Sequence, residues 1–246
     1  MVKYKKLEEL KVKIFADGAD FENIKLLADQ TLIKGFTTNP SLMRKSGISD
    51  YKKFALEISK MVSPKPISFE VFADDLSEME KQALEIATWA KNINVKIPIT
   101  NTKGVSTVDL IKKLSCRGIV CNVTAILKLD QLEKVVNVLN KDTGAILSVF
   151  AGRVADTGID PCSLMRESVK ISKQKPHSSV LWASTREILN IFQAEETGCH
   201  IITVPHDIIK KFKGIGKDLK NLSLETVKTF YSDAQSAGYK INLNEK

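Results

Sequence analysis

One lysine stands in the middle of an apolar, β-branched segment, NVKIPIT at residues 94–100. Val95 and Ile97 flank Lys96, so burial of this strand would strip water from the ammonium group. Desolvation disfavours the charged ammonium and favours the neutral amine. A neutral amine is the form that attacks a carbonyl carbon to make a Schiff base. The setting of Lys96 therefore predicts covalent carbonyl chemistry.

Two carboxylates occupy comparable positions in other apolar segments. Asp17 ends the segment KIFAD, and Glu70 lies inside ISFEVFA. Carboxylates around one amine suit imine chemistry, because protons must move at several steps. Glu70 has a second, structural interpretation, in which it pairs with Lys96 as a buried ion pair.

Polar groups that suit an anionic sugar follow the later segments. Arg153, Ser184 and Arg186 come after the sixth and seventh apolar runs, and two guanidiniums with a hydroxyl can clamp a phosphate. A net charge of +8 favours anionic substrates in general. Further polar residues within or at the ends of such runs are Thr37, Asn39, Asn122, Thr124 and Ser148. Taken singly, each of these can equally be a satisfied core group or a helix cap.

The elements that must position these groups alternate regularly along the 246 residues. Eight near-continuously apolar or β-branched runs predict strands buried on both faces, at residues 13–17, 35–39, 67–73, 94–100, 118–126, 144–151, 178–184 and 199–205. Helical periodicity separates them, for example over residues 75–89 and 104–114.

This pattern predicts an α/β fold, a single (β/α)8 TIM barrel domain over residues 1–246, with an extra C-terminal helix at about 224–239. An open doubly wound sheet is the structural alternative, but no G-x-G-x-x-G follows the first strand. In a barrel, active sites lie at the carboxyl ends of the strands, where the polar residues above are placed.

Composition excludes several other classes. The lysines are dispersed over helical stretches and aromatic residues make up 7%, so we expect no nucleic-acid partner. Four cysteines and three histidines lack metal-ligand spacing, which predicts reduced thiols and no metal. No apolar run reaches the roughly 20 residues of a membrane span. The start, MVKYKKLEELKVK, does not read as a secretory signal, so we expect a cytoplasmic protein without a membrane partner.

Several segments together carry a family resemblance. They are FADGAD (15–20), GFTTNPSL (35–42), ISFEVFADD (67–75), NVKIPITNTKG (94–104), NVTAI (122–126), SVFAGRVADTG (148–158) and WASTRE (182–187). With these motifs the chain resembles the transaldolases, in particular their compact bacterial branch, over nearly its whole length. One departure is Gly18, which stands where relatives often carry a small hydroxyl residue.

The resemblance implies catalytic roles for four residues. Lys96 matches the Schiff-base lysine, and Asp17 matches the acid/base that acts on the C4 hydroxyl. Glu70 and Thr124 match the pair that holds a catalytic water while the carbinolamine forms and breaks.

The resemblance also implies a substrate-binding set. Asn39, Asn122 and Ser148 match groups that hold hydroxyls of the dihydroxyacetone fragment. The phosphate-binding positions of the family fall on Arg153, Ser184 and Arg186, and the set is completed by Thr37 and Phe150.

The implied reaction moves a dihydroxyacetone unit from fructose 6-phosphate or sedoheptulose 7-phosphate to an aldose phosphate such as erythrose 4-phosphate or glyceraldehyde 3-phosphate. This is a step of the pentose phosphate pathway, and the imine itself takes up the electrons, so no metal or organic cofactor is expected. The resemblance also suggests a homo-oligomer.

Three alternatives to this reaction stay open. The related fructose-6-phosphate aldolases release free dihydroxyacetone, but they carry Gln and Tyr where this chain has Glu70 and Phe150. A transferase for a modified ketose, such as a sulfonated one, would use the same machinery. A catalytically silent barrel that serves as a binding module is the alternative from another class.

Overall fold

Eight parallel strands form a closed barrel in the computed structural model, which describes residues 6–241 and 243. They are β1 (Lys13–Asp17), β2 (Ile33–Thr37), β3 (Ile67–Glu70), β4 (Ile93–Pro98), β5 (Cys121–Ile126), β6 (Ala145–Val149), β7 (Ser178–Trp182) and β8 (Ile201–Pro205). Each strand pairs in parallel with the next along the chain, and β8 pairs with β1. The predicted (β/α)8 barrel is therefore confirmed, and the pairing of the first strand with the last excludes an open sheet.

Each strand is followed by at least one helix, as predicted. The helices are α1 (Phe21–Ala28), α2 (Pro40–Lys45), α3 (Tyr51–Val62), α4 (Leu76–Trp89), α5 (Val108–Cys116), α6 (Leu129–Val138), α7 (Ala151–Ala155), α8 (Cys162–Ser172), α9 (Leu189–Glu196), α10 (His206–Ile209) and α11 (Leu219–Ser236). The short helices α2, α7 and α10 directly follow β2, β6 and β8, so they lie at the carboxyl ends of the strands.

Large apolar side chains fill the inside of the barrel below the strand ends. A buried cluster unites Phe15 of β1 with Ile146, Leu181, Ala183 and Ile201. The ring of Phe15 needs the glycine on the neighbouring strand, because a Cβ at Gly35 would lie 2.5 Å from its Cζ atom. This packed layer fills part of the barrel interior, and in barrels of this kind sites lie at the carboxyl ends of the strands.

The chain divides into two compact units. The first holds the barrel, and its described residues are 6–210. The second holds a 3-10 turn (Phe212–Gly214) and α11, whose N-cap Asp218 accepts a hydrogen bond from the Asn221 amide at 3.0 Å. This C-terminal helix spans Leu219–Ser236, so it begins and ends earlier than the predicted 224–239. Within the described residues, no helix combines the length and the apolar character that a membrane crossing requires.

Candidate active site

A cavity of about 460 Å³ opens at the carboxyl ends of the strands. All twelve residues that the sequence singled out line it: Asp17, Thr37, Asn39, Glu70, Lys96, Asn122, Thr124, Ser148, Phe150, Arg153, Ser184 and Arg186. They come from β1 to β6 and from the segments that follow β2, β6 and β7. The fold therefore brings together groups that are up to 169 residues apart in sequence, counted from 17 to 186.

Lys96 lies in the wall of this cavity with 7% of its surface exposed. Its Nζ donates a hydrogen bond to the Thr38 carbonyl oxygen at 2.8 Å and is 3.1 Å from Glu70 Oε2. The ion pair that the sequence offered as a structural interpretation is therefore formed. The contact also gives the amine a carboxylate to which its proton can pass, so the geometry suits both interpretations.

Strand register explains why these side chains meet. Glu70 of β3 lies opposite Lys96 of β4, which in turn lies opposite Asn122 of β5. On the two strands that precede β3, Asp17 of β1 lies opposite Thr37 of β2. Residues in register on neighbouring parallel strands point to the same face. The five side chains therefore form two rows that both face the cavity, because Thr37 is in register with Ser68, two residues before Glu70.

Asp17 is a partly buried carboxyl group that accepts a hydrogen bond from Thr37. The Thr37 hydroxyl donates to Asp17 Oδ1 at 2.6 Å, and Thr203 of β8 contacts the same hydroxyl. Burial raises the pKa of Asp17 above its ordinary value, against the hydrogen bond from Thr37 and the charge of Lys96, while the charge of Glu70 adds to the increase. A carboxylate with a raised pKa is a stronger base than an exposed one.

A buried chain of hydrogen bonds crosses the wall next to Lys96. The Ser148 hydroxyl donates to Asn122 Oδ1 at 2.6 Å, and Asn122 Nδ2 donates to Ser68 Oγ at 3.0 Å. The amide orientation is therefore fixed on both sides. Further along β5, the register slips between Val123 and Ile126. Ala125 takes a φ of 61° there, which turns the chain at the cavity directly after Thr124.

The cationic side of the cavity is built by the segments after β6 and β7. Arg186 makes a two-pronged ion pair with Asp156, with Nε 3.2 Å from Oδ1 and Nη2 in contact with Oδ2. The Arg153 guanidinium lies 5.8 Å from the ring centroid of Phe150. Ser184 has a φ of 65°, a conformation that a non-glycine residue adopts at a cost and that clusters at functional sites.

The predicted end of the second strand was wrong. Asn39 was expected to end the second strand, but β2 ends at Thr37 and Asn39 is the N-cap of α2. Its Oδ1 accepts a hydrogen bond from the Leu42 amide at 3.0 Å. The cause is Pro40, which favours the first position of a helix and so places the cap at the residue before it. Asn39 nevertheless lines the cavity.

Sequence reasoning missed other groups of the site. Thr203 could have been found as a polar residue in the apolar run IITVP. The Thr38 carbonyl that accepts from Lys96 could not have been found in this way, because every residue has a backbone carbonyl. The departure at Gly18 has a structural reason, since the His206 imidazole fills the space of a side chain there and a Cβ would lie 2.5 Å from its Cε1.

Comparisons with known proteins show which family this chain is similar to. Residues 14–245 match the family model described as "Transaldolase/Fructose-6-phosphate aldolase". The chain is 38% identical to a "Probable transaldolase" of Dehalococcoides mccartyi over 200 residues, covering 80% of this chain and 88% of that protein. It is 33% identical to a "Probable transaldolase" of a Thermoanaerobacter species over 232 residues, covering 94% and 100%.

Among solved structures, KGPDC from Streptococcus mutans superimposes with a TM-score of 0.55 at 9% identity, covering 82% of this chain and 91% of that one. At this identity the likeness concerns the barrel fold alone.

Proposed function

Because the chain belongs to the transaldolase/fructose-6-phosphate aldolase family, we propose that it is a transaldolase that works through a Schiff base on Lys96. It moves a dihydroxyacetone unit from a ketose phosphate to an aldose phosphate. The observation that carries this proposal is the buried Lys96 amine, 3.1 Å from one carboxylate in a cavity that a second carboxylate, Asp17, also lines.

Imine formation is the first step. The neutral Lys96 amine attacks C2 of the ketose, the carbonyl oxygen takes up a proton, and loss of water from the carbinolamine leaves a protonated imine. Glu70 is the carboxylate nearest to Nζ and takes the proton that the ammonium must lose before attack. Thr124 lines the same cavity and, with Glu70, would hold the water that leaves and returns.

Carbon–carbon cleavage follows. Asp17 removes the proton of the C4 hydroxyl, the C4 oxygen forms a carbonyl, and the C3–C4 bond breaks. Its electron pair moves to the imine nitrogen and leaves an enamine on Lys96. The raised pKa of Asp17 suits this task, because its carboxylate binds the abstracted proton more tightly than an exposed aspartate would. Attack of the enamine on an aldose phosphate reverses these steps.

Binding of the substrate is divided between the two sides of the cavity. Asn39, Asn122 and Ser148 bind hydroxyl groups of the three-carbon unit, and Arg153 and Arg186 bind the phosphate. Ser184 and Phe150 complete the cationic side, and Thr37 orients Asp17.

A fructose-6-phosphate aldolase activity is the second candidate, because the same family includes it. In that reaction the enamine is protonated to an imine, water hydrolyses the bond to Lys96, and free dihydroxyacetone leaves. Glu70 and Phe150 favour the transferase, as does the name of the relatives cited above.

The test is to incubate the protein with fructose 6-phosphate and erythrose 4-phosphate and to measure sedoheptulose 7-phosphate. We expect its formation, and borohydride reduction during turnover should leave an adduct on the peptide that contains Lys96. Lys96→Ala should abolish both signals, whereas Lys113→Ala, an exposed lysine of α5, should change neither.

Other outcomes would support a different function or a different nucleophile. Free dihydroxyacetone as the main product would support the aldolase, and turnover of a sulfonated ketose alone would support the modified substrate. No turnover with any ketose would support a silent barrel. An adduct that persists in Lys96→Ala would contradict the assignment of the nucleophile.

A further inference from the structure

The strand that carries Glu70 loses its neighbour on one side before Glu70 is reached. In the described part of the chain, β2 pairs with β3 at Ile67 and Ser68 and then ends. The Thr38 amide still donates to the Ser68 carbonyl at 3.2 Å. Backbone groups of alternate residues face the same side of a strand, so the N–H and C=O of Glu70 also face β2, beyond its end.

A single phenol hydroxyl takes the place of the missing strand. The Glu70 amide donates to Tyr51 Oη at 2.8 Å, and the Tyr51 hydroxyl donates to the Glu70 carbonyl oxygen, also at 2.8 Å. Tyr51 is the first residue of α3. One side-chain oxygen thus satisfies both backbone groups of the residue that forms the ion pair with Lys96.

The phenol is itself held firmly. Its ring makes edge-on contacts with Phe69 at 5.8 Å and with Trp89 at 5.6 Å, and a tilted contact with Phe72 at 4.4 Å between ring centroids. Burial raises the pKa of Tyr51, so the hydroxyl keeps the proton that it donates. A ring packed on three sides has little freedom to move, and the hydroxyl therefore fixes the end of β3.

We propose that Tyr51 is a positioning residue that aligns Glu70 with the Lys96 amine for imine formation. This inference rests on the proposed function. Tyr51 does not line the cavity and touches no reacting atom; it acts on the backbone of Glu70, whose carboxylate is 3.1 Å from Nζ. A small displacement of a catalytic group lowers a rate far more than it lowers stability.

Tyr51→Phe tests the proposal, because it removes the hydroxyl and keeps the ring. We expect kcat for dihydroxyacetone transfer to fall about tenfold, since misplacement slows the chemical step. The KM for fructose 6-phosphate should stay within about twofold of the wild type, because the substrate-binding side chains are untouched.

Ser178→Ala is the matched control. The buried Ser178 hydroxyl also bonds to backbone, contacting the Lys175 carbonyl at 2.8 Å and the Ser172 carbonyl at 3.1 Å, but at the amino end of β7, away from the cavity. It should lower the free energy of unfolding and leave kcat unchanged. An unchanged kcat in folded Tyr51→Phe would overturn the proposal, as would loss of kcat in both variants in proportion to their loss of stability.

Exchange of the ketone oxygen isolates the step. Dihydroxyacetone labelled with ¹⁸O at C2 loses its label when an imine forms and is hydrolysed. We expect fast loss with the wild type and about tenfold slower loss with Tyr51→Phe. If the wild type shows no exchange, the proposed function itself fails. If the wild type exchanges and the variant matches it, Tyr51 does not act on the imine step and this inference alone fails.

Discussion

At the scale of the single residue, the partial burial of Asp17 lowers the stability of the fold and raises the basicity of the carboxylate. It is a partly buried carboxyl group, and burial without full compensation disfavours its charged form. In the proposed mechanism, the same burial makes the carboxylate a stronger base for proton abstraction at the C4 hydroxyl. The residue therefore lowers the stability of the folded protein at neutral pH, and we propose that catalysis depends on it.

Asp17→Asn should gain stability at pH 7 to 8 relative to the wild type, while activity falls by about 100-fold or more. The raised pKa means that the folded wild type prefers the protonated form, so it loses stability as pH rises through that pKa, whereas asparagine does not titrate. The gain should shrink as pH falls towards 3.8, the ordinary value. Urea unfolding at several pH values measures it.

The control for this experiment is Asp130→Asn, an exposed carboxylate that pairs with Lys134 on the surface of α6. It should change the unfolding free energy little at any pH. A loss of stability in Asp17→Asn at pH 8 would contradict the argument.

Sequence reasoning located the side chains of the site because a charged residue inside an apolar run is conspicuous. Lys96, Glu70 and Asp17 stand out in this way. Tyr51 does not, since an aromatic residue at the start of an amphipathic helix predicts packing and nothing more. Its role depends on where β2 ends. The sequence pattern predicts that end at residue 39, whereas β2 ends at Thr37.

At the level of elements, the errors have local causes. The helix expected at 104–114 begins only at Val108. Before it, the Asn101 side chain accepts hydrogen bonds from the amides of Lys103 and Val105, and Gly104 takes a φ of 77°. These bonds form a turn in place of the expected first turn of the helix. The spacing of apolar residues gives no sign of this turn.

The contact between α7 and the segment after β7 offers a test at this scale. A Cβ at Gly152 would lie 1.6 Å from the Ser184 carbonyl oxygen, a backbone atom that cannot swing away. Gly152→Ala must therefore shift one of the two segments that carry Arg153 and Arg186. We expect a loss of about 1–3 kcal/mol in the free energy of unfolding. The KM for fructose 6-phosphate should rise as well.

Gly144→Ala separates this effect from the general cost of replacing a glycine. The atoms nearest to a Cβ there are 3.8 Å away, which is ordinary van der Waals contact. Denaturant unfolding and steady-state kinetics of the two variants check the expectation. Equal behaviour of both would show that the close approach at Gly152 has no effect on the site.

At the scale of the whole molecule, the exposure of the four thiols shows how tightly the barrel is packed around them. Cys116 is exposed, whereas the other three cysteines, all within the described residues, are buried. Burial raises the pKa of Cys121 and Cys199 to about 12 and that of Cys162 to about 11. A disulfide exchange reagent should therefore react rapidly with one thiol in the native protein and with four in guanidinium chloride.

Cys116→Ser should remove this fast phase and leave transfer activity unchanged, because the residue lies at the end of α5, away from the cavity. Rapid reaction of a second thiol in the native state would mean that the barrel opens more readily than its packing indicates.

The alternation of eight apolar runs with amphipathic stretches was sufficient to predict the barrel as a whole. It could not predict that the chain divides into two units at Lys210 and Lys211, because no change of composition marks that point. Closure itself is a property of the whole chain, since it depends on the hydrogen bonds between β1 and β8.

That pairing has a consequence for biosynthesis. Asp17 is translated long before Ile201–Pro205, so β1 gains its second neighbouring strand only after β8 has been made. Until then Lys96 of the nascent chain lies in a barrel that is still open between β1 and β8. We therefore expect no dihydroxyacetone transfer from a nascent chain whose β8 has not yet been translated.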